Sequence, residues 1–256
     1  MRLDKFLSNM GRGSRKDVHK LIGSGAVSID GSVSRERDAQ IDPETQTIAV
    51  NGEAIPYKPF VYIMVNKPAG YLSSTEDGSG PVVTDIFSGQ YSSYKLGVAG
   101  RLDKDAEGLL LLTNDGPYIH RVITPEKHVK KSYFVKLARE ISDADVVQFE
   151  RGLRLADGTL LRPAGLEKAD GVSRESSENA EGSGNAVSTE EHCALVTITE
   201  GRFHQVKKMF LSVGNEVRYL KRLKIGALEL DAKLKPGEYR ELTAEEAEKA
   251  YEQTDG

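Results

Sequence analysis

The sequence predicts an α+β protein in which a small N-terminal unit precedes a larger unit with a mainly antiparallel sheet. Three observations support this. Helical patterns open the chain and two strand–turn signals follow them; apolar strand segments then recur with few helices between them; and Pro56 and Pro59 mark a linker between the two parts. We therefore expect domains at residues 1–59 and 60–242, followed by an acidic tail at 243–256.

Two helices are predicted at the start of the first unit, the second capped by Ser14 and stopped by Gly23 and Gly25. Two alternating segments then turn at Asp30-Gly31 and Asn51-Gly52, which is typical of β-hairpins. The apolar residues expected to face inward from the helices are Leu3, Phe6, Leu7, Met10, Val18, Leu21 and Ile22.

The larger unit is predicted to begin with a buried strand from Phe60 to Val65, followed by a turn at Pro68-Ala69-Gly70. Further strands are expected in the segments GLLLLTND, SYFVKLA, CALVTITEG and IGALELD, and HQVKKMFLSVG predicts a helix that Gly214 closes. Residues 170–191 are rich in Ser, Glu, Asn and Gly and poor in apolar residues, so we expect a flexible surface insertion there.

Composition favours an intracellular globular protein. The chain has 256 residues, of which 38% are hydrophobic and 29% charged, without an apolar run of the roughly 20 residues that span a membrane. The N-terminus does not resemble a signal peptide. The single Cys193 excludes an intramolecular disulfide and a cysteine-based zinc site, so the cytoplasm is the expected compartment and no membrane partner is expected.

Charge is unevenly distributed along the chain despite a net charge of −4. Residues 1–37 carry eight Lys/Arg against four Asp/Glu, and residues 200–224 carry seven against two. The 170–191 segment carries one basic and six acidic residues. Two separated basic segments are compatible with a phosphate-binding surface.

Three acids, Asp103, Asp105 and Glu107, lie just before the apolar run that starts at Leu109. Composition alone favours a solvated turn, but the glycines around this segment permit unusual backbone angles and the following strand would hold a carboxylate rigidly. Two of the acids could also form the carboxylate pair of a glycosidase. The five histidines lack the spacing of a metal site, so no metal is expected.

The segment GRLDKDAEGLLLLTNDG resembles the sequence around the catalytic aspartate of bacterial rRNA pseudouridine synthases, in the branch that acts on small-subunit rRNA. It departs from the usual pattern only at Ala106-Glu107. Four further segments resemble family motifs in the same order: NKPAGYLSS, KKSYFVKL, EGRFHQVKKM and LKRLKIG. The N-terminal unit resembles the S4 RNA-binding domain of this branch. The matches span nearly the whole chain except the 170–191 segment and the tail.

The resemblance implies an isomerase that breaks the N-glycosidic bond of a uridine, turns the uracil and rejoins it through C5 without a cofactor. Asp103 is then the catalytic carboxylate, whether it attacks the base, attacks C1′ or removes the 2′ proton. Lys207 would pair with Asp103, Tyr133 would hold the flipped uracil, and Arg101 would bind phosphate or fill the space left by the base. His204 and Gln205 are expected to position the local loop, and Asp105 and Glu107 to have surface or turn roles.

An S4-like domain implies RNA contacts from the two N-terminal helices. The partner implied is ribosomal RNA within a small-subunit assembly particle, bound by a monomer. The residues expected to face RNA are Arg2, Lys5, Arg12, Ser14, Arg15, Lys16 and Lys20. Two alternatives remain open at this point: the same chemistry on large-subunit rRNA, and a non-catalytic RNA-binding factor in ribosome assembly.

Overall fold

The computed structural model describes residues 1–75, 80–87, 91, 94–169 and 192–252. The predicted insertion at 170–191 lies outside the described residues, as does the end of the predicted tail, 253–256. Within the described ranges no helix is long and apolar enough to cross a membrane.

The first unit contains the predicted helices and hairpins. Ser14 caps the second helix by accepting a hydrogen bond from the backbone N–H of Asp17, as its place in the sequence predicted. Asp30-Gly31 and Asn51-Gly52 have positive φ at both residues, the geometry of the tightest hairpin turns. The elements are α1 Leu3–Asn9, α2 Arg15–Gly23, β1 Val27–Ile29, β2 Ser32–Val33, β3 Ile48–Val50 and β4 Glu53–Ala54, with sheet order β2-β1-β3-β4.

The larger unit is built on one sheet, for which the described residues supply nine strands. Seven of them follow the order β13-β5-β7-β11-β8-β10-β9, while β12 pairs with β11 and β6 with β7. Apart from the parallel pair β7–β11, the pairs in the described residues are antiparallel, which confirms the predicted sheet type. The strands are β5 Tyr62–Lys67, β6 Gly97–Val98, β7 Glu107–Thr113, β8 Lys131–Leu137, β9 Gly165–Lys168, β10 His192–Ile198, β11 Val217–Ile225, β12 Leu228–Glu229 and β13 Tyr239–Glu241.

Strand β11, at the centre of this sheet, does not carry the pattern of a buried strand in its sequence. Arg218, Lys221, Arg222 and Lys224 interrupt its apolar residues, and the predicted strand IGALELD covers only its end and β12. Arg222 is nevertheless 1% exposed. A central strand with a buried arginine is hard to recognise from periodicity because that criterion assumes apolar inward positions.

Helices pack on both faces of the sheet. The helix predicted from HQVKKMFLSVG is α5, Gln205–Ser212. Its Val206, Met209 and Phe210 belong to the largest apolar cluster of this unit, which we call the main core. The other helices are α3 Gly116–Ile123, α4 Asp143–Arg151 and α6 Ala244–Glu248, with short 3-10 helices at Val83–Phe87 and Pro125–Lys127.

The acidic segment from Thr243 to Tyr251 packs against the larger unit. Ala247 and Ala250 of this segment are buried, and the hydroxyl of Tyr118 donates a hydrogen bond of 2.9 Å to the carbonyl of Ala247. The guanidinium of Arg121 lies 4.4 Å from the centre of the Tyr251 ring. The sequence marked this segment as a tail because its exposed residues are acidic, but its small apolar residues complete the core beside α3.

The linker between the units is attached to both of them. Lys58 forms an ion pair with Glu241 of β13, and its backbone N–H lies 3.3 Å from the sulfur of Met10. The hydroxyl of Tyr91 donates a hydrogen bond of 3.0 Å to the same glutamate. Side chains from both units therefore meet at the linker.

Candidate active site

Asp103 lies in a loop, residues 99–106, that leads directly into β7. Every carbonyl from Gly100 to Lys104 accepts a hydrogen bond, so the loop has little freedom to move. The donors are Arg222 Nη2 for Gly100 (2.8 Å), Arg222 Nη1 for Arg101 (3.4 Å), Ser73 Oγ for Leu102 (2.9 Å), the Ala106 N–H for Asp103 (3.2 Å), and both the Gly70 N–H (2.7 Å) and Lys67 Nζ (3.2 Å) for Lys104. We call this segment the Asp103 loop.

Arg222 connects the Asp103 loop to the sheet. Besides the two loop carbonyls, its Nε donates a hydrogen bond of 2.8 Å to the carbonyl of Leu109 in β7. The approach of β11 to β7 depends on Gly108, where a Cβ would lie 2.3 Å from the backbone oxygen of Arg222. Gly108 therefore allows a buried guanidinium to reach under the loop.

Lys67 is a second buried cation beneath the same loop. Its side chain is fully buried at the end of β5, and its Nζ donates to the carbonyls of Pro68 (3.0 Å) and Lys104 (3.2 Å). Burial lowers the pKa of Lys67 to about 8, while Glu107, Asp105 and Asp103 act in the opposite direction. The ammonium group thus contributes positive potential on the protein side of the acidic loop.

The carboxylate of Asp103 is 21% exposed and faces two groups that can carry positive charge. His204 Nε2 lies 3.6 Å from Oδ1, and Lys207 Nζ lies 3.7 Å from Oδ2. The predicted proximity of Lys207 is therefore present. Its shorter hydrogen bonds, however, are to Asp105, at 2.6 and 2.7 Å.

Asp105 does more than the surface or turn role expected from the sequence. Its hydrogen bonds with Lys207 lower the pKa of its carboxyl group and orient the ammonium group toward the loop. Asp105 is 71% exposed in a turn, as expected, but its partner on α5 lies 102 residues further along the chain, beyond the reach of local sequence patterns. Glu107, the first residue of β7, accepts a hydrogen bond of 2.7 Å from the hydroxyl of Tyr219 and so links two strands.

The other two predicted substrate-binding residues have contrasting environments. Tyr133 lies on β8 within the main core and is 7% exposed, with the guanidinium carbon of Arg222 6.0 Å from its ring centre. Arg101 is exposed, while its backbone carbonyl is bound by Arg222. Arg222 therefore contacts the loop of Asp103 and Arg101 on one side and approaches the ring of Tyr133 on the other.

Sequence reasoning missed Arg222, Lys67 and Ser73 as residues that organise the site. Each lies inside a quoted motif segment, LKRLKIG for Arg222 and NKPAGYLSS for the other two. For Lys67 a usable signal was a cation directly after a segment that reads as a buried strand, since such a charge requires polar partners. Arg222 and Ser73 carried no comparable signal. Which carbonyls those partners are depends on the strand pairing.

All seven residues predicted to face RNA are exposed on or near the N-terminal helices. They are Arg2, Lys5, Arg12, Ser14, Arg15, Lys16 and Lys20. Arg2 makes a two-pronged ion pair with the buried Asp4, at 3.0 and 2.8 Å. The hydroxyl of Ser14 caps α2. Arg2 and Ser14 thus have structural roles that are sufficient to explain them.

In the parts of the chain that the structure describes, no group of three or more His, Cys, Asp or Glu side chains is placed to hold a metal ion. The residues of the site can instead present one fixed carboxylate, two nearby groups able to carry positive charge, and an aromatic ring. This arrangement suits acid–base or nucleophilic chemistry on an organic substrate.

Comparison with known proteins identifies the family. The RNA pseudouridylate synthase family profile matches residues 61–212, and the S4 domain profile matches residues 1–45. An uncharacterized RNA pseudouridine synthase of Bacillus subtilis is 46% identical, over 96% of each chain. The ribosomal small subunit pseudouridine synthase A of Escherichia coli K12 is 39% identical, over 96% of this chain and 98% of its own.

A solved structure supports the same assignment. The crystal structure of a pseudouridylate synthase superimposes with a TM-score of 0.63 at 35% identity, covering 98% of this chain and 99% of that one. This likeness extends over both units, so the fold expected from the sequence resemblance is confirmed. The chain belongs to the RNA pseudouridine synthase family, a family of isomerases, and carries an N-terminal S4 domain.

Proposed function

We propose that this protein converts one uridine of small-subunit ribosomal RNA to pseudouridine, with Asp103 as the catalytic carboxylate. One observation carries the proposal: Asp103 is partly exposed on a loop whose carbonyls from Gly100 to Lys104 all accept hydrogen bonds, with His204 and Lys207 within 4 Å of its oxygens. Every candidate role for this residue uses a carboxylate held in place, and Lys207 supplies a cation beside it. The relatives named for the small ribosomal subunit support the substrate class.

In this proposal the reaction is an isomerisation with no other reactant. The bond between N1 and C1′ of the uridine breaks, the uracil rotates, and C5 bonds to C1′ while the proton on C5 leaves and N1 gains one. Lys207, oriented by Asp105, neutralises charge beside Asp103. Tyr133 contacts the flipped uracil, and Arg101, which is exposed at the loop, binds the RNA backbone.

The S4 domain is the proposed docking module. Its exposed Lys5, Arg12, Arg15, Lys16 and Lys20 would contact phosphates of structured RNA, a sequence-independent contribution that weakens with salt. We propose a monomer that acts on a small-subunit assembly particle in the cytoplasm, where the RNA is still accessible.

The test uses unmodified small-subunit rRNA, free and assembled into subunits, with large-subunit rRNA as a second substrate. Pseudouridine is mapped by carbodiimide-dependent stops of reverse transcription. The wild-type protein should produce one stop in small-subunit rRNA, Asp103→Asn none, and the matched variant Asp105→Asn a reduced but measurable stop. A stop only in large-subunit rRNA would refute the substrate, and full activity of Asp103→Asn would refute the catalytic role.

A further inference from the structure

Phe203 is the most exposed large apolar side chain in the described part of the chain, at 75%, and it adjoins the active site. Its ring stacks on that of His204 with centroids 3.8 Å apart and planes 20° apart. His204 in turn has its Nε2 3.6 Å from Oδ1 of Asp103. An exposed aromatic ring is thus placed one side chain away from the proposed catalytic carboxylate.

The loop that carries Phe203 is held by buried polar groups. Gln205, which is 4% exposed, accepts a hydrogen bond of 2.9 Å from the N–H of Arg202 and donates one of 3.1 Å to Glu200. Glu200, which is 5% exposed, also accepts the N–H of Arg162 at 3.0 Å. His204 has φ +53°, a conformation that non-glycine residues adopt at a cost in energy. Phe203 is therefore presented to solvent by a well-ordered turn.

Basic side chains lie next to the ring. Lys208 Nζ lies 5.4 Å from the centre of the Phe203 ring, and Lys207, which pairs with Asp105, is on the same helix. Arg202 precedes Phe203 and is paired with the buried Glu200. Aromatic rings interleaved with Lys and Arg suit a nucleic-acid strand, because bases stack on the ring while phosphates meet the cations.

We propose that Phe203 is a stacking platform for a nucleobase of the RNA substrate next to the target uridine. A uridine that leaves its stack to reach Asp103 exposes the face of the neighbouring base. Phe203 covers that face, and Lys208 lies near the adjoining phosphate. This role is separate from that of Tyr133, which is buried, and it rests on the proposed function because it takes RNA to be the molecule bound at Asp103.

The protein offers a matched control in Leu211, an apolar residue on α5 that is 71% exposed and lacks an aromatic face. Binding of unmodified small-subunit rRNA is measured by filter retention, with each substitution added to Asp103→Asn so that no turnover occurs. Phe203→Ala should weaken binding by about 5- to 150-fold, the range for loss of one stacked base. Leu211→Ala should change it less than about twofold, and Phe203→Tyr should bind like the parent.

Fluorescence gives an independent measurement because the chain has no tryptophan. In Phe203→Trp the single indole should be quenched by the RNA through base stacking, and in Leu211→Trp it should not. Equal affinities for Phe203→Ala and Leu211→Ala, or an unquenched indole at 203, would overturn the proposal. If Phe203→Ala loses RNA binding while the wild-type protein forms no pseudouridine, the stacking role stands and the proposed function fails.

Discussion

Substitution of Gly108 by alanine tests whether the contact between β7 and β11 holds the Asp103 loop in place. Gly108 has φ +100°, and a Cβ there would lie 2.3 Å from the backbone oxygen and 2.8 Å from the backbone nitrogen of Arg222. The backbone conformation costs an L-residue about 1–2 kcal/mol, and moving a packed strand to relieve the overlap costs about 1–3 kcal/mol more. We expect a loss of about 3–4 kcal/mol in the free energy of unfolding, which lowers the Tm by roughly 10 °C.

The same displacement moves the guanidinium of Arg222 away from the carbonyl of Gly100, which should reduce kcat for pseudouridine formation by about tenfold or more. Calorimetry and a single-turnover assay measure the two effects. The control is Gly165→Ala, a strand glycine of the same sheet whose Cβ would meet Thr197 at an ordinary 3.8 Å; its stability should stay within about 0.5 kcal/mol of wild type. A Gly108→Ala protein as stable and active as this control would refute the reasoning.

Three further predictions address other charges. Arg222→Met leaves three carbonyls without their donor and should destabilise the protein by about 2–4 kcal/mol while lowering kcat; unfolding and activity assays check it, and wild-type values would contradict it. The guanidinium of Arg2 lowers the pKa of Asp4 to about 2. Ionised Asp4 should therefore add about 2 kcal/mol to the free energy of unfolding above pH 4, and this contribution should be lost as the pH falls from about 4 to 2. Asp4→Asn should therefore lower stability to urea at pH 6 and flatten this acid dependence, and an unchanged pH profile would exclude the assignment. Removing Lys16 and Lys20 together should reduce the slope of log K against log salt for RNA binding by about 2 without altering kcat, and an unchanged slope would exclude phosphate contacts at these residues.

Much of the fold could be predicted because its signals are local. The cap at Ser14, the hairpin turns at Asn51-Gly52 and Asp30-Gly31, and helix α5 depend on residues a few positions apart, and each is present as predicted. Most of strand β11 was not predicted because one of its buried positions is Arg222 and further basic residues interrupt its apolar pattern. Burial of the Arg222 guanidinium is favourable only because three carbonyls from other segments accept its hydrogen bonds.

The sequence by itself determined the family resemblance, the candidate Asp103 and the basic character of the N-terminal helices, because motifs and composition are properties of the chain order. Only the tertiary structure decided that Lys207 hydrogen-bonds to Asp105 while also approaching Asp103, and that Arg222 and Lys67 lie beneath the Asp103 loop. Lys207 and Asp105 are 102 positions apart, and Arg222 and Leu109 are 113 apart. Contacts of that range are set by which strands pair and where a glycine lets two backbones meet, as Gly108 does here.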